Sequence, residues 1–158
     1  MSVKQTALRQ YRKLVDTAAR QVSGLSVPAE GWIATVRRSL AMSGAQLGRR
    51  AGLSRARISQ VEQAELSGGT TLRTMHALAA AMGCRFVYAI VPDGGANPTV
   101  EDLIAAQARR KAHALVETTS KHMALEKQGL PPDALRQEIE RIADEMVRDM
   151  PPDFWEYP

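Results

Sequence analysis

Residues 43–62 read SGAQLGRRAGLSRARISQVE, and this stretch predicts two short helices joined by a tight turn. Ser43 stands where a side-chain oxygen can cap the free N–H groups of a first helix, and Ser54 repeats that role for a second helix. Gly52 lies between them and can adopt the positive φ that ends a helix. Two capped helices joined by a glycine turn at this spacing indicate a helix-turn-helix.

The residues on either side of this stretch predict the rest of a small helical domain. Ile33, Val36 and Leu40 recur at helical spacing before it, and an apolar stripe runs from Leu72 to Met82 after it. We therefore expect residues 31–83 to form a helix-turn-helix DNA-binding domain, a bundle of about five helices.

Base contacts are expected on the outward face of the second helix of the motif. Ile58 and Val61 take the inward positions on a helical projection, which leaves the opposite face to solvent. An α-helix fits the major groove of DNA, where Arg pairs with guanine, Gln pairs with adenine and Ala contacts a thymine methyl group. The predicted base contacts are Arg55, Ala56, Arg57, Ser59, Gln60 and Gln63.

Contacts to the DNA backbone are expected from a second set of residues beside the groove. Helix N-termini present free N–H groups and a partial positive charge, and hydroxyl, amide and guanidinium groups bind phosphate oxygens. The predicted phosphate contacts are Ser43, Gly44, Gln46, Arg49, Arg50, Thr70 and Thr71.

The charge distribution favours a nucleic-acid partner for the middle of the chain. Residues 31–83 hold seven basic and two acidic side chains, and residues 1–30 hold five and two. Residues 84–158 instead hold nine basic and thirteen acidic side chains. A basic middle suits a phosphate backbone, whereas an acidic end suits solvent or a different partner.

Amphipathic helices are predicted at both ends of the chain. Residues 1–30 are expected to form an N-terminal helical arm and linker, because apolar residues recur at helical spacing from Leu8 to Ala18. This arm can pack on its own domain, pack on a second copy, or bind a separate partner. Residues 98–158 are expected to form a C-terminal helical extension with an acidic side and an aromatic tail at residues 154–157.

Residues 84–92, CRFVYAIVP, predict the one β-strand of the chain. Phe86, Tyr88 and Ile90 alternate with the residues between them in a β-branched and aromatic run that a proline closes. A strand needs a pairing partner, which is either residues 154–157 or the same strand of a second subunit. We expect a dimer strand carrying Phe86, Tyr88 and Ile90, since a helix-turn-helix usually binds DNA as a dimer. The alternative dimer contact is the apolar stripe of the C-terminal helices.

Composition argues against several other classes of protein. Aromatic residues make up 4% of the chain, which favours an all-α fold over a β-sandwich or barrel. The single cysteine, Cys84, excludes an internal disulfide framework, and the Cys and His spacings do not resemble a metal site. No nucleophile–base set, carboxylate pair or glycine-rich phosphate loop stands out. We therefore expect no metal, no cofactor and no enzymatic activity.

The N-terminal sequence also bears on location. It carries charges throughout and lacks the apolar core of a signal peptide, and no apolar run approaches membrane-spanning length. We expect a cytoplasmic protein that has no membrane partner.

Several quoted stretches resemble known families. Residues 31–83 resemble the helix-turn-helix of phage-repressor and Cro type, the XRE family. The stretches GWIATVRRSLAMSGAQLGRR, CRFVYAIVP and HMALEKQ resemble the narrower mobile mystery protein A family, which is similar to antitoxins and whose genes typically lie beside the gene of a Fic-domain protein. Gly48 departs from the repressor pattern, which usually has Ala there, and we expect it to loosen its helix slightly.

The residues and the resemblance together give an expected function. The fold class is mainly α, a phage-repressor-like bundle with one β-strand and a C-terminal helical extension. The resemblance implies a homodimeric repressor that binds a palindromic operator in double-stranded DNA and regulates its own toxin–antitoxin-like operon. The alternative is an antitoxin that directly binds and inhibits a Fic-domain partner through its extensions, using the acidic side of residues 133–149 and the aromatic tail.

Overall fold

Seven α-helices make up most of the computed structural model, which describes residues 2–125 and 131–157. In chain order they are α1 (Val3–Val22), α2 (Trp32–Ser39), α3 (Gly44–Ala51), α4 (Arg55–Leu66), α5 (Leu72–Ala81), α6 (Val100–Leu125) and α7 (Pro132–Asp149). The prediction of a mainly α-helical fold is confirmed. Among the described helices, none has the length and apolarity needed to cross a bilayer.

The chain divides into two compact units. One is formed by Gly24–Ala89, and the other combines Met1–Ser23 with Ile90–Pro158. The predicted N-terminal arm and C-terminal extension therefore contribute to the same unit. Residues 126–130, which include part of the HMALEKQ stretch, lie outside the described residues.

The apolar stripes of α2 to α5 meet in the core of the unit Gly24–Ala89. Its buried residues are Ile33, Leu47, Ile58, Val61, Met75, Leu78 and Met82. Within the described residues four helices surround this core, where the sequence predicted a bundle of about five. Residues 31–83 thus form one helix fewer than expected, and α1 belongs to the other unit, in which it packs against α6.

The second unit is built on the packing of α6 against α7. Small side chains on both helices let the backbones approach, and Phe154 from the tail fills the space beside them with 1% of its surface exposed. Gln107 Nε2 donates a hydrogen bond of 2.8 Å to the Phe154 carbonyl. The aromatic tail is thus fixed to α6, while Trp155 and Tyr157 remain exposed.

The predicted strand at residues 84–92 is not confirmed, because no strand occurs among the described residues. The Cys84 N–H donates to the Ala79 carbonyl at the end of α5 (2.8 Å), and the backbone of residues 85–91 makes no backbone hydrogen bond within the described chain. The alternative of pairing with residues 154–157 is likewise not confirmed, since no backbone hydrogen bond joins the two segments among the described residues. Phe154 is instead buried, and its N–H closes a turn onto the Pro151 carbonyl (2.9 Å).

Gly48 permits the close approach on which the turn after α3 depends. It is buried, and a Cβ at this position would lie 2.5 Å from the Leu53 carbonyl oxygen. The Leu53 N–H also donates to the Gly48 carbonyl at 2.8 Å. The sequence predicted only a small loss of helix propensity here, whereas the structure adds a steric need for glycine.

Candidate nucleic-acid interface

The starts of α3 and α4 are fixed by their own side chains. Ser43 Oγ accepts a hydrogen bond from the Gln46 N–H (3.1 Å), and Gln46 Oε1 accepts one from the Ser43 N–H (2.7 Å). At α4, Ser54 Oγ accepts from the Arg57 N–H (3.1 Å). Both predicted caps are confirmed, and the first is a complete capping box.

The turn between these helices brings their N-terminal ends together. Gly52 ends α3 with φ 69° and ψ 30°, and its N–H donates to the Gly48 carbonyl, as expected for a left-handed C-terminal cap. A Cβ on Gly44 would lie 3.8 Å from Arg55 Cγ, so the stem of Arg55 passes over the start of α3. A predicted phosphate contact and a predicted base contact are therefore neighbours.

The outer face of α4 is open to solvent along the helix. Ile58 and Val61 are 1% and 3% exposed and point into the core. Arg57 Nη1 donates to Gln60 Oε1 at 3.3 Å, which links two of the polar side chains across one helical turn. The predicted base contacts, all exposed, are Arg55, Ala56, Arg57, Ser59, Gln60 and Gln63.

The predicted phosphate contacts divide into four residues at the surface of α3 and its cap, and three residues whose side chains bond elsewhere in the domain. Ser43, Gln46 and Arg49 are exposed, and Gly44 is half-buried beside Arg55. Of these four residues, Gly44 lies beside Arg55 at the start of α4, whereas Gln46 and Arg49 line an open pocket with Leu40 and Met42.

The other three predicted phosphate contacts serve internal roles. Arg50 Nε donates to the Ala81 carbonyl at the end of α5 (2.5 Å). Thr70 Oγ1 donates to the Val61 carbonyl (3.3 Å), and Thr71 Oγ1 caps α5 by accepting from the Thr74 N–H (3.1 Å). The hydrogen bonds of these three side chains therefore stabilise the domain itself.

A carboxylate on the inner side of α4 caps α2, which sequence reasoning missed. Glu65 Oε1 and Oε2 accept hydrogen bonds from the Trp32 N–H (2.7 Å) and the Ile33 N–H (3.0 Å). The residue at the N-cap position, Gly31, has no capping side chain and adopts φ 81°. A Cβ on Gly31 would lie 2.8 Å from Glu65 Oε2, so glycine is needed for this approach.

A second inner carboxylate on α4 forms an ion pair with α2. Arg37 Nε and Nη2 donate to the two oxygens of Glu62 at 2.7 and 3.2 Å, and Nη1 donates to the Met42 carbonyl at 2.9 Å. The Arg37 and Glu62 side chains are only 13% and 17% exposed. The hydrogen bonds that Arg37 donates to Glu62 raise the pKa of Arg37 above its ordinary value, although burial acts in the opposite sense.

A signal for both carboxylates was present in the sequence. Glu62 and Glu65 follow Ile58 by four and seven residues, which places them on the same inward stripe of α4. A charged residue on a buried stripe needs a partner. The pattern indicates that partners exist, but it does not identify the Arg37 side chain or the two N–H groups at the start of α2.

The acidic residues of this unit are all used internally, and this leaves its surface basic. Glu30 pairs with Arg38, Glu62 with Arg37, and Glu65 caps α2. The unit Gly24–Ala89 contains no other acidic residue. Six arginines of the unit have no carboxylate partner among the described residues; they are Arg49, Arg50, Arg55, Arg57, Arg73 and Arg85.

The arrangement offers hydrogen-bond donors and positive charge on a protruding helix. Within the described residues, no group of three or more His, Cys, Asp or Glu side chains is placed to hold a metal ion. No family model, no curated protein and no solved structure matches this chain.

We predict that Glu65→Ala lowers the free energy of unfolding by about 2 kcal/mol, because two N–H groups lose a charged acceptor. Urea unfolding followed by circular dichroism measures this change. Glu65→Gln keeps one acceptor oxygen and should lose about half as much. Gln63→Ala, on the exposed face of the same helix, is the control and should stay within about 0.5 kcal/mol of the wild type. A loss for Glu65→Ala no larger than that of the control would contradict the capping role.

Proposed function

We propose that this protein is a sequence-specific DNA-binding transcriptional repressor and not an enzyme, and that α3, its turn and α4 act as a helix-turn-helix of the phage-repressor type. The observation that carries the proposal is the outer face of α4. It presents Arg, Gln and Ser side chains to solvent while the carboxylates of the same helix face inward. The resemblance to the XRE and mobile mystery protein A families supports a cytoplasmic repressor that regulates its own operon.

In the proposed complex α4 lies in the major groove. Arg55 and Arg57 at its start bind guanine edges, Gln60 and Gln63 bind adenine, and Ala56 allows close approach of the helix. Ser43, the N–H groups at the start of α3, Gln46 and Arg49 bind phosphate oxygens beside the groove. Arg50, Thr70 and Thr71 contribute mainly by holding the helices in place, since their side chains are engaged within the domain.

The repressor is proposed to bind a palindromic operator as a homodimer. The backbone of residues 85–91 lacks backbone partners in the described chain, and a second copy of the same segment can supply them. Phe86 is half-buried, with its ring 5.2 Å from that of His76 and 6.0 Å from that of Tyr88. Tyr88 and Ile90 are 65% and 90% exposed, so the proposed dimer strand retains apolar surface to bury.

A second candidate function is supported by the aromatic tail. Because Phe154 holds the tail on α6, Trp155 and Tyr157 are presented at 59% and 95% exposure on a fixed segment. Exposed aromatic residues on a rigid support are frequent anchors in protein interfaces. This favours an antitoxin that binds a Fic-domain protein through its C-terminal extension, a role that is compatible with repression.

We predict that Arg55→Ala and Arg57→Ala each reduce the preference for specific over random duplex by about ten-fold or more, because each lost bidentate contact removes roughly 1–3 kcal/mol of discrimination. Fluorescence anisotropy with the region upstream of the gene, competed by random duplex, measures the preference. Arg49→Ala is the matched arginine control and should weaken both duplexes equally. A wild-type protein that binds both duplexes with equal affinity would contradict the proposal.

A further inference from the structure

Four cationic side chains share one face of α1. Arg9, Arg12, Lys13 and Arg20 lie within about 100° of one another around the helix axis, and Arg9 and Arg20 are about 16 Å apart along it. All four line the same open groove, of about 650 Å³. None of the residues of α1 is fully buried, so this face is not required by the core of its unit.

The carboxylates nearest to these cations do little to neutralise them. Asp16 Oδ1 accepts a hydrogen bond from the Val100 N–H at 2.9 Å. Its negative charge therefore interacts with the positive N-terminal end of α6. Glu101 lies 4.0 Å from Arg12, and its side chain is 79% exposed. An exposed pair at this distance is weak.

Most basic residues elsewhere in the same unit are paired with a carboxylate. On α6 and α7 the described basic residues other than Arg110 and Arg148 form ion pairs, several of them with short contacts. These pairs are Arg109–Glu140, Lys111–Asp153, Lys121–Glu117, Arg136–Asp133, Arg141–Glu138 and Arg141–Glu145. Arg9, Lys13 and Arg20 have no carboxylate within 4.0 Å among the described residues, so their charge is available to an external anion.

We propose that this face of α1, defined by Arg9, Arg12, Lys13 and Arg20, binds the phosphodiester backbone of DNA. The choice of DNA as the polyanion rests on the proposed function. One strand of B-DNA presents a phosphate about every 3.4 Å along the duplex axis, so a face about 16 Å long can reach several phosphates. Side chains that contact only phosphates carry no sequence information, and the contact therefore adds affinity without changing base preference.

The test uses the full chain with Arg9→Gln, Lys13→Gln and Arg20→Gln combined, because Gln keeps a high helix propensity. Binding to random duplex is measured at several salt concentrations. Each lost phosphate contact removes about 0.9 from the slope of log affinity against log salt, so the slope should become shallower by about 2 to 3. The affinity for random duplex should fall at least about ten-fold at low salt, and the ratio of specific to random affinity should stay within about two-fold.

The control variant carries Arg136→Gln, Arg141→Gln and Arg148→Gln, which remove the same charge from α7, where Arg136 and Arg141 are ion-paired. It should leave the salt slope unchanged. Two slopes that become equally shallow would overturn the proposal, because only net charge would then matter. Two unchanged slopes would overturn it as well, because α1 would then contact no phosphate. A loss of DNA affinity that appears only together with loss of self-association would also overturn it, since it would assign the face of α1 to an acidic surface of a second copy.

The same measurements separate this proposal from the proposed function. Arg55→Ala with Arg57→Ala should lose base preference and keep the salt slope that depends on α1. A wild-type chain without any sequence preference, but with that slope intact, would overturn the proposed function and leave the phosphate contact standing. If the chain shows sequence preference but the α1 substitutions leave its salt slope unchanged, the phosphate contact alone would be overturned.

Discussion

The two inward carboxylates of α4 determine which side of that helix faces outward. Glu65 closes the N-terminus of α2, and Glu62 forms a two-pronged pair with Arg37, whose guanidinium also binds the Met42 carbonyl. A half-buried carboxylate without such partners would cost more than an exposed one. Rotating α4 about its axis would break these contacts and expose Ile58, so its outer face is fixed. The contacts of Glu62 and Glu65 on the inner side of α4 therefore hold its outer face, the candidate DNA-binding face, toward solvent.

This use of charge also explains the electrostatics of the unit. Two of its three acidic residues pair with arginines and the third caps α2. The positive charge of the exposed arginines on α3, α4 and α5 is therefore not neutralised by a carboxylate. A positively charged surface attracts polyanions over several ångströms, and added salt weakens this attraction. The cations on α1 have the same character within the other unit, where Glu117, Asp133, Glu138, Glu140 and Glu145 of α6 and α7 instead pair with neighbouring Lys and Arg side chains.

Local patterns carried much of the prediction. The caps at Ser43 and Ser54, the turn at Gly52 and the buried positions Ile58 and Val61 follow from spacing within a few residues, and the structure has them as expected. Other features depend on residues distant in sequence. The partners of Glu62 and Glu65, and the engagement of Arg50 by the Ala81 carbonyl, follow only from the packed arrangement of helices.

Two further differences also have physical causes. Gly48 reads locally as a weak helix former, yet its buried position against the Leu53 carbonyl is set by the path of the turn. The segment 84–92 has the composition of a strand, but a strand exists only with a hydrogen-bonded partner, and the burial of Phe154 fixes the tail in a turn. Sequence patterns therefore predict which faces of the helices are buried, whereas the contacts between distant segments depend on how the helices pack.

Selection of duplexes from a random library by the full chain tests most directly whether the outer face of α4 reads bases. The account predicts enrichment of an inverted repeat whose half-sites lie about one helical turn apart, roughly 34 Å. Repeating the selection with Arg55→Ala should lose the preference at one position in each half-site while keeping the rest. A library that stays random after repeated rounds with the wild-type chain would contradict the central claim.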